Sequence, residues 1–418
     1  MNGRVSRRAF VRAGSAAAAA ALAPRFAFSI VRPAQDRPIR FGLVGCGGRG
    51  TGAAEDCLKS APNVEVVALA DVFPDRLEGC RAQLAGLSHP GFKVAEGRCF
   101  TGFDAYRRLL EGDLDLVLLA TPPGFRPIHF EAAVEAGRHV FMEKPVAVDP
   151  AGVRRVLAAG EKAKAKGLAV VAGTQRRHQK CYVETIRRIH EGAIGRIVAA
   201  RCFWNQGGLW RHDRKEGESD VEWQMRNWLY FTWLSGDHIV EQHVHNLDVI
   251  NWALRAHPVS AVAVGGRQVR TEPVYGHIYD HFCVDYEYPD GVHATSMCRQ
   301  QPGTDGRIGE AVVGTEGQAD PAEWIEGKSP WRWKEEPDSP YVQEHADLIA
   351  SVRSGAPLNE ARAVAESTLT AILGREAAYT GKKIAWDEIL ASGLDLSPAA
   401  YEFGPLPVAG VPIPGKSA

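Results

Sequence analysis

The chain has 418 residues and a formal net charge of −1 at pH 7, with 45% hydrophobic and 24% charged residues. This length is sufficient for two domains that each bury a core of their own. The six arginines of residues 1–35 precede the first acidic residue, Asp36, so the rest of the chain carries a charge of −7. A mildly acidic protein without a basic cluster is a poor partner for nucleic acid.

The first 35 residues are typical of an export signal. Arg7 and Arg8 stand in the order Ser-Arg-Arg-Ala-Phe-Val-Arg that the twin-arginine translocase recognises, and an alanine-rich stretch, 13–23, follows. That stretch is too short to span a bilayer, which takes about 20 apolar residues. Twin-arginine export carries folded cargo, so the sequence predicts a periplasmic protein that binds its cofactor before export. A transit peptide or an unstructured N-terminus is the alternative.

The eight cysteines include no Cys-x-x-Cys pair. A protein that folds in the reducing cytoplasm has little opportunity to form a disulfide framework. We therefore expect mostly buried thiols.

A dinucleotide-binding fingerprint follows the leader. The apolar run 38–44 ends at Gly45-Cys46-Gly47-Gly48-Arg49-Gly50, and a helical stretch then leads to a second apolar run, 64–70, that ends at Asp71. In such a loop the first glycine permits a tight turn, the second admits the pyrophosphate and the third allows close helix packing. Asp71 is expected to bind the adenosine ribose and to repel a 2′-phosphate. The pattern therefore predicts NAD rather than NADP.

The alternation of strands and helices continues to about residue 172. The strand 114–120 ends at Thr121-Pro122, a helix runs through His129, and the strand 138–142 ends at Glu143-Lys144-Pro145. Ligands of a doubly wound parallel sheet bind at the carboxyl ends of its strands. The expected cofactor contacts are Gly45, Gly47, Gly48, Arg49, Gly50, Asp71, Thr121, Pro122, His129, Glu143 and Lys144.

These motifs, with a histidine-rich segment at 236–248, resemble the Gfo/Idh/MocA oxidoreductases over residues 38–385. The resemblance implies an α/β protein with a Rossmann domain at 36–173. It further implies an α+β substrate and oligomerisation domain with an open, mostly antiparallel sheet at 174–402, before a proline-rich tail at 403–418. It implies a homo-oligomer, a dimer or a tetramer, and it places Lys144 beside the nicotinamide and the substrate hydroxyl.

The segment 236–254 has helical periodicity. One predicted stripe is apolar and consists of Val240, Val244, Leu247 and Leu254. An adjacent polar stripe consists of His238, Glu241, His245 and Asp248. A helix half buried by the first stripe would hold the second along the wall of a cleft.

The resemblance assigns the chemistry of this segment. The family has an acid followed four residues later by histidine, and Glu241 and His245 occupy those positions, although most relatives have aspartate in place of Glu241. Lys144 and His245 are the expected acid/base pair, with Glu241 orienting the histidine or binding a neighbouring hydroxyl. A solvated face is one alternative. A metal site at His238, Glu241, His243 and His245 is another, but the spacing differs from His-Glu-x-x-His and no metal is expected.

Five tryptophans lie between residues 204 and 233. Their flat faces suit the stacking of sugar rings, although tryptophans also pack cores, and the basic turn at 173–177 is either part of the site or solvated. The expected substrate contacts are Arg176, Trp204, Trp210, Asn227, Tyr279 and His281.

The sequence therefore predicts a periplasmic NAD-dependent dehydrogenase that oxidises a ring hydroxyl, preferably at carbon 3, of a sugar or glycoside. The first alternative is a glycosidase that oxidises, eliminates, adds water and reduces back on one bound NAD, with His243, Tyr279 or His281 as the extra base. The second alternative is a sugar sensor that binds NAD without turnover.

Overall fold

The computed structural model of the chain describes residues 37–335 and 338–416. The predicted twin-arginine signal lies outside these residues. Within them, no helix is both long enough and apolar enough to cross a membrane. All eight cysteines lie in the described part and are free, and six of them are buried, as predicted.

The first sheet has six strands and every pairing in it is parallel. In spatial order they are Cys99–Thr101, Val64–Asp71, Ile39–Val44, Leu116–Leu119, His139–Met142 and Val170–Ala172. The helices that follow its strands are Gly48–Ser60, Pro74–Gly86, Ala105–Leu110, Arg126–Glu135 and Pro150–Ala165. The order has the doubly wound topology, with the first strand central and a crevice beside it at the carboxyl ends. The predicted Rossmann architecture is confirmed.

The second sheet has nine strands and is antiparallel except for one pair. In spatial order they are Trp331–Arg332, Trp324–Gly327, Gly317–Asp320, Arg307–Gly314, Ile197–Gln206, His293–Gln300, His281–Glu287, Ser260–Gly266 and Ile384–Ala385. The helices Val244–Leu254 and Ala361–Thr380 pack on one face. The other face carries exposed apolar side chains, including Val262, Val264 and Met297. The predicted open, mostly antiparallel sheet is confirmed.

The remaining helices come after the first sheet in the chain. They are Lys180–His190, Asp220–Arg226, Thr232–Ser235, His238–Glu241, Pro340–Ser354 and Trp386–Ala391, with 3₁₀ turns at Glu96–Arg98, Pro123–Phe125, Gln175–His178, Trp228–Tyr230, Pro273–Tyr275 and Pro289–Gly291. Pro340–Ser354 returns to the first sheet and packs against Gly48–Ser60, where Leu348 and Ile349 join the core of that sheet. The second half of the chain therefore contributes to the surroundings of the glycine loop.

Candidate active site

Two glycines of the fingerprint have no room for a side chain. Gly45 has a φ of +99°, and a Cβ there would lie 2.6 Å from backbone atoms of Ala120 and Thr121. A Cβ on Gly50 would lie 1.8 Å from the carbonyl oxygen of Gly45. The loop therefore turns tightly against the end of the strand Leu116–Leu119, and the helix Gly48–Ser60 packs directly on it.

The other two glycines of the loop are less enclosed. A Cβ on Gly48 would meet no atom within 4 Å, and one on Gly47 would lie 3.3 Å from Arg76 Nη1 at the end of a flexible side chain. Gly47 begins the helix Gly48–Ser60 without a side-chain cap, and the first turn has no acidic residue. Free N–H groups at a helix N-terminus bind anions. The loop therefore fits the pyrophosphate of a dinucleotide.

Asp71 ends the second strand beside this loop. Its Oδ2 accepts a hydrogen bond from the Cys46 amide at 2.7 Å, and its Oδ1 accepts one from the Phe73 amide at 2.8 Å. Burial raises the carboxyl pKa, while the two amides act in the opposite direction. Each oxygen retains acceptor capacity for a ligand hydroxyl, which fits the expected ribose contact.

A cavity of about 480 Å³ opens in front of the glycine loop. From the first domain it is lined by the loop, Asp71, Phe73, Arg76, Phe103, Tyr106, Thr121, Pro122, Phe125 and His129, and from the second half of the chain by Trp210, His212, Met225 and Trp228. We refer to this space as the cofactor cavity. Trp210, which the sequence assigned to the substrate, therefore lines the cofactor cavity.

A buried polar network fixes one wall of the cofactor cavity. The Thr121 hydroxyl lies 3.1 Å from His129 Nδ1, and Arg126 donates to the carbonyls of Leu119 and Thr121 at 2.6 Å each. Burial lowers the pKa of His129 to about 3, so its ring is neutral at physiological pH. His129 thus acts as a hydrogen-bonding partner of Thr121.

A second cavity, of about 250 Å³, adjoins the cofactor cavity. Both spaces are lined by Arg49, Ala120, Thr121 and Trp228. The second cavity is also lined by Lys144, Glu241 and His245. The structure therefore brings the three predicted catalytic residues together, and we refer to this space as the reaction cavity.

Lys144, from the first domain, is hydrogen-bonded in the reaction cavity to Glu241, from the second half of the chain. Its Nζ donates to the Glu241 carbonyl oxygen at 2.7 Å and to Glu241 Oε1 at 3.3 Å. Among the hydrogen bonds of the described residues, Glu241 is a partner of Lys144 and not of His245. Its carboxylate therefore positions the lysine, whereas the sequence suggested that it would orient the histidine.

Arg49 connects the glycine loop to the residue before Lys144. Its Nε lies 2.7 Å from Glu143 Oε1, and its guanidinium lies 5.0 Å from the centre of the Tyr341 ring. Gly173 makes room for this pair, since a Cβ there would lie 2.4 Å from Glu143 Oε2. The loop and the strand end that carries Lys144 are thus held in fixed relation.

The prediction of one continuous helix over 236–254 is wrong. The helices His238–Glu241 and Val244–Leu254 are separated by a wide turn, in which the His243 amide donates to the His238 carbonyl at 3.2 Å. This five-residue spacing adds one residue to the turn, as in a π-bulge. The apolar side chains nevertheless share one core across the break, with Val240, Val244 and Leu247 buried and Leu254 packed against them. Of the polar side chains, Glu241 and His245 line the same cavity.

His245 is a neutral base candidate at the wall of the reaction cavity. Its ring stacks on Trp204, with centroids 5.8 Å apart and an angle of 18° between the rings. Burial lowers its pKa well below 6.5, and the nearby charges of Lys144 and Arg176 lower it further. Nδ1 is buried without a partner, which leaves Nε2 as the nitrogen available to the cavity.

The other polar residues of this segment have separate partners. His238 Nδ1 lies 2.9 Å from Asp237 Oδ1, and His243 Nε2 lies 2.7 Å from the Ser296 hydroxyl. Asp248 pairs with Arg177 at 2.8 Å. The described residues contain no group of three or more His, Cys, Asp or Glu arranged for a metal ion.

Arg176 and Trp204 lie behind His245. Arg176 forms a buried ion pair with Glu310, and its guanidinium lies 5.9 Å from the centre of the Trp204 ring. The Trp204 indole N–H donates to Gln206 at 3.0 Å. Trp204 thus links Arg176 to the histidine on which it stacks, and neither residue lines the reaction cavity.

Three predicted substrate contacts lie outside the reaction cavity. Asn227 is buried and uses both amide atoms, accepting from the His212 amide at 2.9 Å and donating to the Val274 carbonyl at 2.7 Å. Tyr279 donates to the Pro412 carbonyl at 2.9 Å, and His281 Nδ1 lies 2.7 Å from Asp280. These contacts hold loops in place.

Two family models match this chain. The Gfo/Idh/MocA oxidoreductase family with an NAD-binding Rossmann fold matches residues 39–172, and the C-terminal domain of the same family matches residues 182–320. The chain belongs to the Gfo/Idh/MocA family. Its first domain is accordingly an NAD-binding Rossmann domain, and the amides at Gly47 and Gly48 with the Asp71 carboxylate are the groups that would hold the cofactor.

Several relatives of this Gfo/Idh/MocA protein are enzymes of cyclic polyols. scyllo-Inositol 2-dehydrogenase (NAD(+)) of Bacillus subtilis is 25% identical over 68% of this chain and 73% of its own length. Glycosyl hydrolase family 109 protein 4 of Phocaeicola vulgatus is 25% identical over 63% of this chain and 50% of its own length. Other inositol 2-dehydrogenases align over 45–59% of their lengths. The chain thus spans about half the length of several of the curated relatives it matches.

The solved structures share the fold. Apo scyllo-inositol dehydrogenase from Lactobacillus casei matches 84% of this chain and 99% of its own, with a TM-score of 0.65 and 19% identity. The likeness extends over both sheets, and at this identity it establishes the common architecture.

Sequence reasoning missed several residues of the reaction cavity, among them Arg126, Gln175 and Tyr341. Gln175 is next to the predicted Arg176, so the correct turn was found but the wrong side chain was chosen. Tyr341 comes from the helix Pro340–Ser354, and its place at the cavity depends on the packing of that helix against Gly48–Ser60. An aromatic residue at a helix start carried no local signal of that packing.

Proposed function

We propose that this protein is an NAD-dependent dehydrogenase that oxidises a ring hydroxyl of a sugar or glycoside. The observation that carries the proposal is the reaction cavity itself. An ammonium group, a carboxylate and a neutral imidazole line one small space beside the glycine loop, through Lys144, Glu241 and His245. Membership of an oxidoreductase family supports the same reaction class.

The chemistry assigned to these residues follows from the alcohol. Bound NAD supplies the hydride acceptor. The hydroxyl proton must leave as the carbon is oxidised. The imidazole of His245 is neutral and hard to protonate at rest. It therefore accepts the hydroxyl proton only when the charge that develops on the substrate favours the transfer. Lys144 stabilises the developing alkoxide with its ammonium group, and Glu241 holds that ammonium in place.

Carbon 3 of a glycoside is the preferred position in this proposal. A ketone at carbon 3 acidifies the neighbouring C–H, which prepares the glycosidic bond for elimination. Trp228 and Tyr341 at the reaction cavity offer flat faces for a sugar ring. The relatives named as inositol dehydrogenases support a cyclic polyhydroxylated substrate.

A glycoside labelled with deuterium at carbon 3 tests the position. We expect the deuterium on the nicotinamide ring of the NADH product, detected by mass spectrometry. Unlabelled NADH formed from this substrate would contradict carbon 3, and the same glycoside labelled at other ring carbons would then locate the reacting position.

The redox-assisted glycosidase is the second candidate, supported by similarity to glycosyl hydrolase family 109 proteins. It needs a further base near carbon 2, and His243, Tyr279 and His281 are engaged elsewhere. Tyr341, whose ring is 41% exposed, lines the reaction cavity and is available for that role. Release of aglycone with no net NADH, and exchange of the carbon 2 hydrogen with solvent deuterium, would distinguish this reaction.

Export and assembly belong to the same proposal. Arg7 and Arg8 support delivery to the periplasm by the twin-arginine translocase. Exposed Val262, Val264 and Met297 on the open sheet face support a homo-oligomer, a dimer or a tetramer. Fractionation of cells and sedimentation of the purified protein test the two statements separately.

A further inference from the structure

The C-terminal tail lies against the cofactor cavity of its own chain. After the last helix, Trp386–Ala391, residues 392–416 continue without regular secondary structure. These residues include most of the proline-rich tail that the sequence places at 403–418. It runs back over the wall of the cofactor cavity.

Aromatic stacking joins the tail to that wall. The Phe403 ring lies 5.8 Å from the ring of Phe73 in a stacked arrangement and 5.1 Å from that of Phe103 in an edge-on arrangement. Both partners line the cofactor cavity. The Tyr401 ring lies 5.4 Å from Phe125, a third residue of the wall. The tail thus supports three aromatic side chains of the cavity from behind.

Hydrogen bonds fix the tail at the helix Asp220–Arg226. The Leu406 amide donates to Asp220 Oδ2 at 2.9 Å, and Gln224 Nε2 donates to the Leu406 carbonyl at 2.6 Å. The Val221 amide donates to the Gly404 carbonyl at 3.2 Å. These bonds fix the chain directly after Phe403, at Gly404 and at Leu406.

The same helix reaches the cavity from the other side. Met225 lines the cofactor cavity, and the Arg226 guanidinium lies 4.0 Å from the centre of the Phe73 ring while pairing with Asp75 at 3.1 Å. Phe73 therefore contacts both the Phe403 ring and the Arg226 cation. The helix Asp220–Arg226 and the tail form one unit that closes over the Rossmann domain.

We propose that the tail is part of the NAD site and that Phe403 is a positioning residue that retains the cofactor. The tail keeps Phe73 and Phe103 in place over the cavity, so NAD leaves only when the tail and its helix separate from the Rossmann domain. This inference goes beyond the proposed sugar chemistry. It depends on the NAD site alone.

NAD retention measures this role directly. Wild-type protein loaded with NAD should keep its cofactor through gel filtration, and displacement of bound NADH by excess NAD should be slow in a stopped-flow fluorescence trace. Phe403→Ala should speed this release about tenfold, because two aromatic contacts are lost. Val408→Ala, at an exposed position of the same tail, is the matched control and should release NADH as the wild type does.

Asp220→Ala provides an independent variant, since it removes one of the hydrogen bonds that hold the tail without altering a ring. It should speed NADH release in the same direction, with the melting temperature of each variant measured alongside. Release within twofold of wild type in folded Phe403→Ala and Asp220→Ala would overturn the proposal. Because the readout is cofactor dissociation, a failure here would leave the oxidation of sugars untouched, and an inactive enzyme with slow release would contradict only the proposed reaction.

Discussion

The Lys144 ammonium donates to both the carbonyl and the carboxylate of Glu241, at 2.7 and 3.3 Å. Lys144 follows the strand His139–Met142 of the parallel sheet, and Glu241 ends a four-residue helix that begins 94 positions after Lys144. Both side chains are largely buried, at 13% and 14% exposure. This pair sets the position of the Lys144 ammonium group in the reaction cavity, where the proposed chemistry needs it.

Replacing Lys144 tests its place in the reaction. Lys144→Ala should lower kcat for sugar oxidation by about 10²–10³-fold, the range for loss of a group that stabilises developing negative charge, and leave the dissociation constant of NAD within about twofold. Steady-state kinetics and NADH fluorescence titration give the two numbers. Lys164→Ala, at an exposed helix position, is the control. Retention of full activity by Lys144→Ala would refute the mechanism.

The glycines of the loop offer a matched pair of variants. Gly48→Ala adds a Cβ in open space, so the protein should fold normally but bind NAD about tenfold more weakly, since the methyl group reaches into the pyrophosphate site. Gly50→Ala places a Cβ 1.8 Å from the Gly45 carbonyl oxygen, so it should lower the melting temperature as well. Equal losses of melting temperature in Gly48→Ala and Gly50→Ala would contradict the assignment of Gly48 to the pyrophosphate site and of Gly50 to helix packing.

The pH profile reports the protonation of His245. Its pKa lies well below the usual value because the ring is buried near Lys144 and Arg176. The neutral form is therefore present throughout the neutral range, and kcat/KM should show no decline near pH 6.5 that belongs to this residue. His245→Gln should lower kcat by about 10²-fold or more at all pH values tested. An acid limb at pH 6.5 that disappears in His245→Gln would contradict a neutral resting base.

Acid should destabilise the fold through buried histidines. Burial lowers the pKa of His129, His243 and His345 to about 3 and that of His277 to about 4. The unfolded chain therefore binds more protons below about pH 6.5, and each histidine costs about 1.4 kcal/mol of unfolding free energy per further pH unit. Urea unfolding at pH 7 and pH 5 measures this loss.

His345→Phe removes one of these titrating rings while keeping the aromatic contact with Phe141, whose centroid lies 4.1 Å away. The variant should lose less stability than the wild type between pH 7 and pH 5. Equal slopes for the two proteins would show that His345 does not contribute to the acid sensitivity.

The strands, the loop and the chemical groups could be predicted from the sequence because each has a local signal. Buried apolar runs ending at Gly45, Asp71 and Lys144 define the parallel sheet and its carboxyl edge. The break after Glu241 has a weaker signal. Gly236 and Asp237, with φ values of +78° and +74°, mark only the start of the helix His238–Glu241, whereas residues 242–243 include neither glycine nor proline.

Contacts across long separations in sequence could not be predicted. Phe403 meets Phe73 at a separation of 330 residues, and Tyr341 reaches Arg49 through the packing of two helices. Asn227 and Tyr279 had the polarity expected of substrate contacts. Their hydrogen bonds are made instead to backbone carbonyls of Val274 and Pro412, which only the tertiary structure shows.

The most direct test of the central claim follows NADH and sugar together. Protein stripped of cofactor would be mixed with a known amount of NAD and a panel of glycosides, with NADH, keto-sugar and free aglycone measured in the same reaction. The account predicts NADH and keto-sugar in equal amounts with the wild type and neither with Lys144→Ala. Many turnovers of aglycone without net NADH, or no product from any glycoside while NAD binds normally, would contradict it.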